Sequence, residues 1–199
     1  MALLRAGICF GILLGLSLPS LANSSLEDSV RVVLLGFQQQ DAQKINAMIH
    51  ADRGLCVMFR RGAPNTYECV ERLDFSAPVP EYLPYEKLSQ RALERYGKTI
   101  HYGGEPRFEC VKERWSAFGL FIGKLGANHM LSESAEWLKK YERPDSPDED
   151  ISAMKHLEAT SHRVIFATED GESLIFHLSL IKGKWYLTLL DRLSGDCSA

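Results

Sequence analysis

The chain has 199 residues, of which 45% are hydrophobic and 25% are charged, and its formal net charge is −3 at pH 7. This length suits one domain that buries a proper hydrophobic core. The slightly acidic balance, and the absence of a basic stripe, argue against a nucleic-acid partner. Arg60-Arg61 is a small exception, and a solvated turn explains this pair better than an anion site does.

Residues 1–22 have the pattern of a secretory signal peptide. Arg5 supplies the positive start, Ile8 to Leu18 form the apolar run, and Ser20-Leu21-Ala22 places small residues at the cleavage site. The apolar run is shorter than the roughly 20 residues that a membrane-spanning helix needs. We therefore predict an exported chain with no membrane span, in a periplasm rather than in a eukaryotic exterior.

Export changes how the five cysteines are interpreted. Cys9 stands at the front of the leader's apolar run, which excludes a lipoprotein cysteine, and leaves with the leader. Cys56, Cys69, Cys110 and Cys197 remain, and an even number in an oxidising compartment predicts disulfides. The alternatives are zinc, which needs closely spaced ligand pairs, and a nucleophilic thiol, which needs to be unpaired beside a His. The spacing favours neither alternative.

The stretch CVMFRRGAPNTYEC, from Cys56 to Cys69, predicts a β-hairpin. Two β-prone runs flank GAPN, whose Gly, Pro and Asn are turn residues. A hairpin centred on Gly62 and Ala63 sets the two cysteines opposite each other, at a separation that suits a disulfide. Cys110 would then pair with Cys197 and tie the C-terminal tail to the middle of the chain. Spacing alone leaves the other connectivities open.

Residues 23–199 are predicted to form a single α+β domain, which begins with two helices. Ser25 is a good N-cap, and Asp41 caps a second, shorter helix. Tyr85 to Tyr96 and Ser132 to Tyr141 are predicted to be further helices, and we expect a helical insertion over 132–160. The apolar side chains at helical spacing in the first helix are Leu26, Val30, Val33, Leu34 and Phe37.

Two loops carry polar residues without a predicted ligand. His101 to Pro106 is expected to be a turn. Pro144 to Asp150 is an acidic loop that lacks the central Gly of a calcium loop, so a solvated surface loop is favoured.

The last fifty residues contain the clearest pattern. RVIFATED, SLIFHLSLI and KWYLTLLDRL predict three antiparallel strands, joined by turns at Asp170-Gly171 and Lys182-Gly183. In the middle strand, Leu174 and Phe176 share one face, and Ile175 and His177 share the other. Because both faces are largely apolar, we expect both to be covered. The predicted fold class is therefore α+β, with a curved antiparallel sheet packed on N-terminal helices.

DAQKINAMIHADRGLCVMF and GKWYLTLLDRL, in this order around the β-rich middle, resemble the second helix with the first strand, and the last strand, of the nuclear transport factor 2-like superfamily. The resemblance covers most of the exported chain and rests on the order of elements. It implies a cone, in which a curved sheet wraps around helices and leaves a cavity at the wide end. Enzymes of this superfamily, such as ketosteroid isomerase relatives and dehydratases, place a carboxylate or His in that cavity. Many members are not enzymes, so the fold alone assigns no activity.

His177 and Asp191 are the candidates for a catalytic pair. His177 lies within an apolar strand and Asp191 near the end of the last one, so they are candidates for a general base and its orienting partner. A buried, hydrogen-bonded His and an exposed strand end explain them more simply. The other histidines show no metal-ligand spacing, and no phosphate loop, nucleophile elbow or pair of catalytic carboxylates occurs.

These observations favour a non-catalytic, exported binding or interaction module that needs no cofactor and no metal. Its expected partner is a small apolar ligand or another envelope protein, and a homodimer through the sheet face is a further expectation. The alternative is a cone-fold isomerase, dehydratase or hydrolase that uses His177 and Asp191. If the two side chains point to opposite faces of the sheet and share no cavity, this alternative fails.

Overall fold

A computed structural model of the chain describes residues 24–62, 64–145 and 151–197. The predicted leader lies outside the described residues, as does most of the acidic loop. The helices are Leu26–Gln39 (α1), Ala42–Asn46 (α2), Gln90–Tyr96 (α3), Met130–Tyr141 (α4) and Ile151–Ala159 (α5). The strands are Leu55–Arg60 (β1), Asn65–Val70 (β2), Ile100–Tyr102 (β3), Phe108–Glu109 (β4), Arg114–Trp115 (β5), Gly119–Ile122 (β6), Ser161–Ala167 (β7), Ser173–Ile181 (β8) and Lys184–Asp191 (β9).

The main sheet has the strand order β2-β1-β9-β8-β7-β6-β3, and β4 and β5 form a separate small hairpin. Strands β7, β8 and β9 make the predicted antiparallel meander. The sheet is not antiparallel throughout, because β1 pairs with β9 and β3 pairs with β6 in parallel. The described chain thus has the predicted α+β class, with a curved and mostly antiparallel sheet.

The two N-terminal helices begin where their capping residues predict. The Ser25 hydroxyl accepts a hydrogen bond from the Asp28 N–H, and the Asp41 carboxylate accepts one from the Lys44 N–H. Each side chain satisfies an N–H that has no partner within its own helix, which fixes where the helix begins. Helix α1 then turns its apolar side chains onto the sheet.

The main core lies between α1 and one face of the sheet, which we call the inner face. Strands β1, β6, β7, β8 and β9 contribute alternate side chains to it, as a half-buried strand requires. The buried members are Val30, Val33, Leu34, Phe37, Ile45, Leu55, Val57, Leu73, Tyr85, Leu88, Leu120, Ile122, Val164, Phe166, Leu174, Phe176, Leu178, Leu187 and Leu190.

The opposite face of the sheet, the outer face, is covered as well. At one end α4 packs Leu131, Ala135 and Leu138 against Cys56, Met58 and Leu189. At the other end Trp115, from the small hairpin, packs with Phe121, Ile165 and Ile175. The expectation that both faces of the meander are covered is therefore confirmed.

Three element boundaries differ from the sequence expectation. The helix expected from Tyr85 begins only after Ser89, whose hydroxyl caps α3. The turn expected over His101 to Pro106 contains the last residues of β3. The helix expected from Ser132 begins at Met130, because the buried Glu158 carboxylate accepts hydrogen bonds from the N–H groups of Leu131 and Ser132. That cap comes from α5, distant in sequence, so local reasoning could not supply it.

Both predicted disulfides form. Cys56 and Cys69 are opposite each other in the hairpin of β1 and β2, and they are bonded. Cys110 is bonded to Cys197, 87 residues away, which ties the C-terminal tail to the β4–β5 hairpin region. The stretch from Cys56 to Cys69 is a structural cross-link and not a thiol site.

Candidate functional site

A β-bulge in β9 brings His177 and Asp191 to the same face of the sheet. In the pairing of β8 with β9, His177 is opposite Leu189, while Leu178 is opposite Leu187, so Thr188 is an extra residue. Side chains alternate between faces along a strand, and one inserted residue reverses the alternation beyond it. The bulge therefore sends Leu189 and Asp191 to the outer face, where His177 also lies.

A hydrogen bond between two side-chain hydroxyls, those of Ser179 and Thr188, stabilises this bulge. Thr188 Oγ1 lies 2.7 Å from Ser179 Oγ, and it is also 3.5 Å from the His177 carbonyl oxygen. Both hydroxyl side chains are buried, where an unpaired hydroxyl costs free energy. Their mutual hydrogen bond thus stabilises the shifted register.

The Asp191 carboxylate is saturated with hydrogen bonds. Oδ1 accepts the N–H groups of Leu193 and Ser194, each at 3.0 Å. Oδ2 accepts the Ser194 hydroxyl and the Arg163 guanidinium, each at 2.7 Å. Burial alone would raise the pKa of the Asp191 carboxyl, but the Arg163 charge and these hydrogen bonds outweigh burial and lower it. The group is thus a fixed anion.

Arg163 connects two carboxylates across the outer face. It is opposite His177 in the pairing of β7 with β8, so the two side chains share this face. Its guanidinium donates to Asp191 Oδ2 at 2.7 Å and to Glu105 Oε2 at 2.8 Å. Burial acts to lower the pKa of Arg163, but the charges and hydrogen bonds of the two carboxylates raise it. Arg163 is a cation held between two anions.

His177 is buried beside this network without joining it. Its Nε2 atom has no hydrogen-bond partner among the described residues. Desolvation is the main cause that lowers the pKa of His177 to about 3, and the Arg163 charge lowers it further, while the Asp191 charge opposes both. The imidazole is therefore neutral at physiological pH.

This arrangement does not give a base and its orienting partner. His177 and Asp191 share a face, so the condition that would have excluded them as a pair is not met. No hydrogen bond joins them among the described contacts, and the Asp191 side chain is 0% exposed. A general base needs hydrogen-bond reach to the proton that it takes, and here the carboxylate reaches only Arg163, Ser194 and the backbone. The described contacts favour a stabilising role for the cluster.

Sequence reasoning missed Arg163, Glu105 and Ser194, which complete this cluster. Arg163 offered a faint signal, since it stands within a predicted apolar strand. Glu105 and Ser194 lie in loops, and only the fold brings them to Arg163.

A cavity of about 400 Å³ lies at the edge of the sheet where β1 and β9 end and β8 begins. We call it the sheet-end cavity. Phe37, Tyr85, Leu174 and Leu190 belong to the main core and form its floor. The polar and charged side chains of its lining include Arg60, Tyr82, Glu86, Arg192 and Asp196. Its volume falls within the range of small-molecule sites.

Two chain segments form the walls of the sheet-end cavity. One runs from Tyr82 to Glu86 and is held by Arg192, whose guanidinium donates to the carbonyls of Val79, Leu83 and Pro84. The same guanidinium lies 5.1 Å from the centre of the Tyr85 ring, a cation–π distance. The other wall is the tail at Gly195 and Asp196, which the Cys110–Cys197 disulfide anchors.

The remaining histidines lie on separate elements. His50 follows α2, His101 is on β3, His129 precedes α4, His156 is on α5 and His162 is on β7. In the part of the chain that the structure describes, no group of three or more His, Cys, Asp or Glu side chains could hold a metal ion. In the same part, no helix combines the length and the apolar character needed to cross a membrane.

Comparison with known proteins gives no match to any family model, to any curated protein or to any solved structure.

Proposed function

We propose that this protein is an exported, non-catalytic binding module that holds a small, largely apolar ligand in the sheet-end cavity. One observation carries the proposal: the floor of this cavity consists of core side chains, including the rings of Phe37 and Tyr85. Apolar pockets with a few polar groups at the rim are the usual form of small-molecule sites. The two disulfides are consistent with an exported, stabilised module.

A cone of the nuclear transport factor 2-like type is part of this proposal. It is supported by helices that pack on the inner face of a curved sheet, and by a cavity at one end of that sheet. In such a cone, the ligand would enter at the wide end, past Tyr82 and Arg60. The periplasm is the proposed compartment.

Binding is favoured over catalysis because the two charged groups deepest in the lining, Asp191 and Arg192, are already engaged by other groups of the chain. Asp191 belongs to the lining, but its carboxylate is buried and bonded to Arg163 and Ser194. The Arg192 guanidinium is engaged by three carbonyls and by the Tyr85 ring. These side chains position the walls and are not held ready for proton transfer.

The rim restricts what the ligand can be. Arg60 and Arg192 carry positive charge there, and Glu86 and Asp196 carry negative charge. A rim of mixed sign favours a neutral molecule with a polar end rather than a strongly charged one. The expected ligand thus places an apolar or aromatic body on the floor and a polar end beside Tyr82.

Binding of N-phenyl-1-naphthylamine, an uncharged fluorescent apolar probe, tests the site. Tyr82 is 64% exposed at the rim, and Tyr141 is 60% exposed on α4, away from the cavity. Tyr82→Ala should weaken probe binding several-fold, because it removes one wall, and Tyr141→Ala should leave binding unchanged. Equal effects of the two substitutions would show that the probe binds elsewhere, and the site would be rejected.

A further inference from the structure

A second cavity, of about 390 Å³, lies beside Arg163 and is separate in its lining from the sheet-end cavity. We call it the Arg163 pocket. Its charged lining residues are Arg163, Arg107, Lys124 and Glu105, and Gly103 and Gly104 form part of its wall. Three cations and one carboxylate therefore surround one concave space, in a chain whose formal net charge is −3.

Arg163 provides a rigid cation in this lining. Its side chain is only 12% exposed, and its guanidinium is fixed by Asp191, Ser194 and Glu105. A guanidinium held in this way loses little conformational freedom when an anion binds beside it. This differs from a flexible surface cation, whose ordering offsets much of the gain.

Arg107 and Lys124 supply the other two charges. The Arg107 N–H donates to the Ser116 hydroxyl at 2.9 Å, which fixes the start of the β4–β5 hairpin. Lys124 follows Gly123, whose N–H donates to the Arg163 carbonyl at 2.8 Å, so its backbone is attached to β7. Within the described residues neither side chain has an acidic partner. The three like charges share one cavity.

The negative groups do not cancel this charge. Both carboxylates, Glu105 and Asp191, accept hydrogen bonds from the Arg163 guanidinium. The Asp191 charge is also shared with two backbone N–H groups and the Ser194 hydroxyl. The excess of positive charge at Arg107 and Lys124 is left to solvent or to a ligand.

We propose that the Arg163 pocket binds the phosphate or carboxylate group of a small anion. The anion would contact Arg107 and Lys124 directly and would lie against the edge of the Arg163 guanidinium. Gly103 and Gly104 have φ of 71° and 58°, and beyond their immediate chain neighbours no atom lies within 4 Å of the place where either would carry a Cβ. Their bare backbone leaves the pocket open for the rest of the ligand.

Glu105 limits the affinity of this site. Its carboxylate packs against Gly123, where a Cβ would collide with it, so it is held close to Arg163. A fixed carboxylate opposes a second anion nearby. Glu105→Gln keeps a side-chain oxygen that can accept the Arg163 hydrogen bond and removes the charge. This substitution should therefore tighten anion binding, an effect that a merely exposed group of cations would not show.

Calorimetric titration at constant ionic strength tests the proposal with inorganic phosphate and with citrate, which separate a phosphate preference from a carboxylate preference. Arg107→Ala and Lys124→Ala should each weaken binding by about threefold to tenfold, the scale of a charge-assisted contact. Glu105→Gln should strengthen binding by a similar factor. Lys98→Ala, at an exposed lysine outside the pocket, should change nothing. Circular dichroism melts confirm that each variant is folded.

Two results would overturn the proposal. The first is that neither anion binds the folded chain more tightly than it binds the Arg107→Ala, Lys124→Ala double variant. The second is that all single variants, Lys98→Ala included, weaken binding equally, which would indicate a general charge effect. Stronger binding of phosphate or of citrate, with the expected ranking of variants, identifies which anionic group the pocket takes.

Discussion

Thr188 Oγ1 lies 2.7 Å from Ser179 Oγ, and this buried contact closes the bulge that turns Asp191 toward the outer face of the sheet. If β9 were paired regularly, with no bulge at Thr188, the alternation that places Leu187 in the main core would place Asp191 there too. An unpaired carboxylate in that core would be far too costly. The bulge thus allows Asp191 to meet Arg163.

The Thr188 and Ser179 hydroxyls should be energetically coupled. Thr188→Val leaves the Ser179 hydroxyl buried without its partner, which should cost about 1–3 kcal/mol of unfolding free energy. Ser179→Ala should cost less, because the Thr188 hydroxyl keeps its longer contact with the His177 carbonyl. The double variant should cost less than the sum of the two, as urea denaturation would measure. Thr168→Val is the control, since Thr168 Oγ1 is buried without a partner, and it should be neutral or stabilising. Additive losses would mean that the contact does not close the bulge.

Loss of the Asp191 charge should destabilise the fold strongly. Asp191→Asn leaves the Arg163 cation buried with only Glu105 as an ionic partner. Removing one member of a buried ion pair costs about 3–5 kcal/mol. Asp170→Asn, in the exposed turn between β7 and β8, is the control and should shift stability by less than about 0.5 kcal/mol. Similar denaturation midpoints for the two variants would refute the assigned role of Asp191.

His177 should make the protein less stable in acid. Because its pKa is lowered to about 3 in the folded chain, the unfolded chain takes up the proton first, near its ordinary pKa of about 6.5. Stability is therefore lost as pH falls from about 6.5 toward 3, by at most about 1.4 kcal/mol per pH unit from this group. His177→Leu should flatten that dependence.

The matched control for this pH experiment is His156→Gln, at an exposed position on α5. Denaturation curves at several pH values should show the original slope in this variant. The Asp191 carboxyl, whose pKa is also lowered, contributes stability above its unfolded pKa that is lost at lower pH. This loss of stability at low pH, which comes from Asp191, should persist in the His177→Leu variant. An unchanged slope in His177→Leu would contradict the buried, neutral imidazole.

The Cys110–Cys197 disulfide should control one wall of the sheet-end cavity. The N–H groups of Leu193 and Ser194 are held by Asp191, so removing the disulfide should release only the residues that follow. In a Cys110→Ser, Cys197→Ser variant, hydrogen exchange should accelerate at Gly195 to Cys197 and around Cys110, while β9 keeps its protection. Binding of the fluorescent probe should weaken as well. Faster exchange throughout β9 would show that the disulfide supports the sheet itself.

Local signals explain why much of this fold was predictable. Ser25 and Asp41 cap their helices through neighbouring N–H groups, and the meander strands alternate around short turns. The pairing of Cys56 with Cys69 follows from one hairpin. Each of these features depends on residues that are close in sequence.

The candidate site was less predictable because distant residues make it. The register shift at Thr188 decides which face of the sheet carries Asp191. The amino-acid composition of the strand does not predict this shift. Arg163 and Glu105 meet only because β3 pairs with β6 and β6 pairs with β7. Glu158 caps α4 from another helix. The sequence predicts His177 as a buried, hydrogen-bonded histidine, and it is buried, but its Nε2 atom has no partner among the described residues. The prediction of an exposed strand end at Asp191 is wrong, because the register shift turns this carboxylate toward Arg163 and buries it.

The most direct test of the proposed binding function is native mass spectrometry of the protein purified without denaturation from its own source. We expect a small-molecule adduct on the intact, disulfide-bonded chain. The adduct should persist in Tyr141→Ala and decrease in Tyr82→Ala, because Tyr82 lines the sheet-end cavity and Tyr141 does not. A chain that carries no adduct under gentle conditions, and instead holds a protein partner regardless of Tyr82, would contradict a ligand-binding cavity.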